Sequence, residues 1–163
     1  MSRSLARVER TLAELGLPVR VIEAGACRTA EEAAASVGCA VDQIAKSIIF
    51  RAEGAAEAGQ DDAGHLVLFL TAGGNRVDPA RASAVAGQRL GKADAALIRA
   101  ETGFAIGGVA PVGHLVPIRV FWDKRLDDFD VIWAAAGTPR HVFAAAPADL
   151  RRVTGAEMAE FTA

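Results

Sequence analysis

Apolar residues recur at Leu5, Val8, Leu12 and Leu15, three or four positions apart, while Arg3, Arg7 and Arg10 fall on other faces. That spacing predicts a surface helix over residues 4–15. After the Gly16–Pro18 break, Val19, Val21 and Ile22 read as a short strand. Thr29 followed by Glu32 is a capping-box signature for a second helix, and Gly38 ends it. Asp42 is placed to cap a brief turn leading into Ser47, Ile48, Ile49 and Phe50, a β-rich run whose expected hairpin partner is Leu66–Leu70. Residues 78–85 and 93–101 read as helices, 118–122 and 131–134 as strands, and Pro147 opens a terminal helix. The stretch RAEGAAEAGQDDAG, residues 51–64, is small and acidic without a period, as expected of a mobile, solvated connection with no chemistry.

Helices and short strands interleave without a regular βαβ rhythm, and the hairpin signal implies antiparallel pairing in a sheet that also has crossovers. The expected class is α+β: a single domain over residues 1–163, with a mixed, largely antiparallel β-sheet flanked by helices. A length of 163 residues favours one sizeable core over two.

Composition narrows the function classes. Hydrophobic residues make up 52% of the chain, much of it alanine, yet no apolar run approaches the roughly 20 residues a membrane span needs, so no membrane partner is expected. The N-terminal pattern has interspersed charges and no export signal. Cys27 and Cys39 form no CxxC motif or Cys/His ligand set, which points to a reducing cytoplasm. A net charge of −2 excludes broad, sequence-blind nucleic-acid binding, so any such contact is small and local. Arg3, Arg7, Arg76 and Lys124 are the candidates for a few phosphate contacts.

Chemistry concentrates at two places. Lys46 interrupts the apolar sequence Ile44, Ala45, Ser47, Ile48 at a turn-to-strand junction. Its stem could simply pack beside the sheet with the ammonium in water, or the charge could serve a site. The second place is TGFAIGGVAPVG, Thr102–Gly113, where four glycines around Pro111 leave little side-chain bulk. Such a segment is either an ordinary turn or a surface that ligand can approach closely. Gly87–Lys92 is one residue short of a P-loop, which excludes nucleoside triphosphate binding on that motif. His65, His114 and His141 have no metal-site spacing; His65 reads as ordinary surface, His114 and His141 as better candidates. No GxSxG elbow and no activated cysteine appears, so water is the expected nucleophile.

Together TAEEAA at Thr29–Ala34, QIAKSIIF at Gln43–Phe50, TGFAIGGVAPVG, and the closing AAAG with PADL at Pro147–Leu150 resemble the YbaK and prolyl-tRNA-synthetase-associated domain family across nearly the whole chain. The resemblance implies that family's fold and a hydrolase that cleaves the ester between a wrong amino acid and transfer RNA. It implies that Lys46 orients the terminal nucleotide and that the GxxxP loop, Gly107 to Pro111, faces the aminoacyl group. The expected catalytic set is Lys46, Gly107 and Gly108. The expected substrate contacts are Thr29, Val109, Ala110, Pro111, Gly113, His114 and His141. The implied partners are an aminoacyl-tRNA acceptor end and prolyl-tRNA synthetase, with no metal and no cofactor. The implied substrate is a mischarged tRNA(Pro) carrying Cys, Ala or another small amino acid. Ala110 replaces a frequent serine, and His114 with Leu115 replaces a frequent basic pair, so the amino acid removed stays open. The alternative readings are a non-catalytic adaptor that binds tRNA ends or a synthetase, and a small-molecule binding domain with the same fold.

Overall fold

The computed structural model describes residues 2–53 and 65–163. Helix α1, Arg3–Glu14, starts on the Ser2 hydroxyl and buries Leu5, Val8 and Leu12. The fourth stripe residue, Leu15, follows the helix and is exposed. Strand β1, Val21–Glu23, leads to α2, Ala30–Val37, which Thr29 caps by accepting from the Glu32 N–H and which ends on left-handed Gly38. A 3₁₀ turn, Val41–Gln43, comes next. Asp42 does not cap it. The orphan Ala40 N–H goes to Gln43 Oε1, which frees the Asp42 carboxylate to accept from the Gly74 N–H at 2.7 Å and to meet Arg125 Nε at 3.0 Å.

Strands β2, Ala45–Ala52, and β3, Leu66–Ala72, form the expected antiparallel ladder, with Lys46 opposite Thr71. Most of the connection expected to be mobile, residues 54–64, lies outside the described residues. Helix α3, Pro79–Ala86, strand β4, Leu90–Lys92, and helix α4, Ala95–Thr102, follow. Then come β5, Arg119–Trp122, β6, Ile132–Ala135, β7, His141–Ala145, helix α5, Pro147–Thr154, and β8, Glu157–Met158.

The strands make a five-stranded sheet in the order β4-β2-β3-β5-β8 and a three-stranded antiparallel sheet β1-β7-β6. In the larger sheet β3–β5 and β5–β8 are parallel and the rest antiparallel, so it is mixed, as expected. All seven residues of β3 are buried, because this central strand has cover on both faces. Leu66, Leu68 and Leu70 face the main core with α1, α5 and β6, while Val67 and Phe69 face a second core of Phe121, Phe161 and α3. A single bridge between Ile44 and Trp133 ties the two sheets together where β2 begins. A smaller apolar cluster under α2, built on Ala33, Ala34 and Ile44, seals the same corner. No helix among the described residues is long and apolar enough to cross a membrane.

Candidate functional site

Lys46 is the second residue of β2, beside that bridge. Its ammonium pairs with no carboxylate among the described residues. Nζ donates to the Asn75 carbonyl at 2.7 Å. The carbonyl is fixed in turn: the Asn75 N–H donates to Ala72 O, and Nδ2 donates to Asp123 Oδ2 at 2.8 Å. Asp123, only 4% exposed, also accepts from the N–H groups of Ala72 and Arg125. A buried carboxylate thus sets a turn, and the turn sets the lysine. Burial pushes the Lys46 pKa below its ordinary value; the charge of Glu31 opposes that shift and that of Arg76 adds to it.

The glycine-rich loop folds back on itself between Ala105 and Gly108, whose N–H donates to Ala105 O at 3.0 Å. Gly107 sits at φ +89°, where a side chain would be strained. Gly108 is needed for another reason: a Cβ there would lie 2.6 Å from the Thr138 carbonyl carbon, so the close approach is made by the chain's own Thr138–Pro139 backbone. The N–H groups of Gly107 and Val109 donate to no partner among the described residues. Arg7, expected to face away from the fold, clamps the far end of the loop. Its guanidinium lies 4.5 Å from the centre of the Phe104 ring and donates to the carbonyls of Gly113 and Thr102.

Lys46, Gly107 and Val109 line one cavity of about 230 Å³. Its apolar wall includes Ala33, Ile44, Ala45, Trp133, Ala134 and Val142, and its polar lining includes Cys27, Arg28, Thr29, Ser47, Thr138 and His141. Ser47 Oγ is buried with no hydrogen-bond partner among the described residues. His141 Nδ1 lies 2.7 Å from Thr138 Oγ1, which also accepts from the Arg140 N–H.

Of the residues singled out from sequence, Thr29, Lys46, Gly107, Val109 and His141 come together around this cavity. Gly108, Ala110 and Pro111 are buried behind the loop. Gly113 and His114 lie elsewhere, along a separate groove with Leu15 and Leu115. There the His114 ring donates from Nε2 to Ala110 O at 2.8 Å and packs edge-on to Phe104, so it braces the loop from behind. Desolvation pushes its pKa down. His65 is not ordinary surface: its Nδ1 meets Glu101 Oε2 at 2.7 Å, and the same buried carboxylate accepts from the N–H groups of His65 and Leu66. Sequence reading missed Arg28, Asn75, Asp123, Trp133 and Thr138. Nothing local in the sequence shows that the turn at Gly73, Gly74 and Asn75 faces Lys46.

A solved structure described as a candidate trans-editing enzyme for prolyl tRNA synthetase superposes with a TM-score of 0.89 at 40% identity, covering 100% of this chain and 99% of the other. The hypothetical protein APE2540 superposes at 0.82 with 25% identity, over 96% of this chain and 99% of that one. The uncharacterised protein YwhH of Bacillus subtilis is 28% identical over 122 residues, 75% of this chain and 72% of its own length. A family model for the aminoacyl-tRNA editing domain matches residues 24–153, a span that holds Thr29, Lys46, the glycine loop and His141. The chain belongs to the aminoacyl-tRNA editing domain family.

Proposed function

We propose that this chain is an aminoacyl-tRNA deacylase acting in trans, which hydrolyses the ester of a mischarged tRNA(Pro) carrying a small amino acid. One observation carries the reading: a fixed ammonium and two residues whose backbone N–H groups have no partner among the described residues, Gly107 and Val109, line one small apolar-walled cavity. Ester hydrolysis develops negative charge on the carbonyl oxygen, and preorganised donors in a desolvated site stabilise that charge without a side-chain triad. In this reading Gly107 and Val109 N–H groups meet the oxyanion, and Lys46 holds the terminal nucleotide. The attacking water enters between them. Alanines at 33, 45 and 134 leave room for a short side chain, and the buried Ile44 and Val109 limit a long one. The whole chain acts as one editing domain, with the tRNA acceptor end as partner and prolyl-tRNA synthetase as a docking partner.

The test is a deacylation panel over tRNAs charged with Ala, Cys, Ser and Pro. The wild type is expected to release a small non-cognate amino acid from tRNA(Pro). Lys46→Ala is expected to keep its unfolding midpoint and to lose about 100-fold in kcat/KM, the scale of lost alignment. Retained binding of the acceptor end with no product on any member of the panel would establish the adaptor reading instead. Unchanged turnover by Lys46→Ala would remove the lysine from the site.

A further inference from the structure

Beside the cavity lies a second groove of about 410 Å³, whose lining includes Arg28, Glu31, Lys46, Gly73, Gly74 and Arg76. Arg28 and Lys46 line both spaces, so the two adjoin. Three cations therefore face one carboxylate in a chain whose net charge is −2. Arg28 and Arg76 are exposed, and neither guanidinium has an ion pair or hydrogen bond among the described residues. Arg125, by contrast, is spent on Asp42 and Asp128, and Arg151 on Asp127.

The floor beneath these cations is bare, fixed backbone. Gly73 is buried, and a Cβ there would collide with Val41 O. Gly74 is pinned by its N–H to Asp42 Oδ1 at 2.7 Å. The amino end of α2, capped by Thr29, forms one wall and adds its positive dipole to the field. A polyanion can lie on such a floor without clashing with a side chain, and guanidinium forks suit phosphate oxygens.

We propose that this groove is the path of the single RNA strand that leads to the reacting adenosine, with Arg28 and Arg76 each neutralising one backbone phosphate. The proposal rests on the deacylase reading for what lies at the strand's end, but it concerns phosphate recognition alone. Glu31, the one acid on the path, opposes the strand and tempers its affinity. Of the basic residues that the sequence suggests for phosphate contact, Arg76 is on the groove, while Arg7 is committed to the loop and Lys124 to Glu160.

The experiment uses the full chain and two probes: a labelled RNA trinucleotide ending in adenosine, and a pair of esters, aminoacyl-adenosine and the same amino acid on full-length tRNA. Arg28→Gln and Arg76→Gln are each expected to weaken trinucleotide binding about tenfold at low salt. Each should also flatten the slope of log affinity against log salt by roughly 0.7, one phosphate's share. The rate preference for the tRNA ester over aminoacyl-adenosine should shrink in step, and Glu31→Gln should tighten trinucleotide binding. Wild-type affinity and slope in both arginine variants would overturn the proposal, even with the wild type hydrolysing both esters. Loss of affinity in the variants with neither ester hydrolysed by the wild type would instead uphold the strand path and overturn the deacylase reading.

Discussion

At the scale of single residues, Ser47 shows how a site can work against its own fold. Its hydroxyl is buried beside the cavity without a partner, a condition that costs roughly 1–3 kcal/mol. Ser47→Ala is therefore expected to raise stability by roughly 1 kcal/mol and, if substrate supplies the missing partner, to lower deacylation. Urea titration and single-turnover rates check the two halves. A lower midpoint would show that the hydroxyl is already bonded in the free protein. Lys46 was legible as an anomaly in the sequence, because a charge inside an apolar run needs a reason. What holds it was not legible: the Asn75 carbonyl is 29 positions away and Asp123 lies 48 beyond that. His141 stood out only as one of three histidines, since its neighbour Thr138 becomes a partner through the turn between β6 and β7.

Among the elements, the long, strongly patterned ones were readable. The stripe of α1, the Thr29 and Gly38 caps of α2, the β2–β3 ladder and the proline start of α5 all follow from local chemistry. Strands β4, β7 and β8 were not read, because three, five and two residues carry too little periodicity and exist through their partners. The glycine loop is the instructive case. Its composition permits close approach by a ligand, yet at Gly108 the approaching backbone belongs to Thr138–Pro139. Gly108→Ala should therefore cost on the order of 2–4 kcal/mol, through backbone overlap that no rotamer relieves. Thermal unfolding measures it. Wild-type stability with lost activity would show instead that this glycine serves substrate approach.

On the scale of the whole molecule, acid sensitivity tests how the loop is braced. Burial holds the His114 imidazole below its usual 6.5, with the Ala110 carbonyl pulling upward and the charge of Arg7 pushing further down. The unfolded chain takes up a proton near 6.5 that the folded chain resists. This group's share of stability is complete above about 6.5 and is lost as pH falls below it. Unfolding midpoints between pH 7.5 and 5 should fall for the wild type and fall less for His114→Gln, which keeps a donor for Ala110 but does not titrate. Equal slopes would assign the sensitivity to the paired carboxylates. The sequence by itself determined the helix starts and stops, the antiparallel pairing of β2 and β3, the α+β class and the two segments that carry the chemistry, because these depend on contacts between near neighbours and on period. Only the tertiary structure decided which residues of those segments share the cavity. Sheet pairing through Ile44 and Trp133 brings Lys46 to the glycine loop, and the turn of the loop sends Val109 to the cavity and His114 to the opposite face. Such convergence comes from contacts tens of residues apart along the chain, to which local patterns are blind.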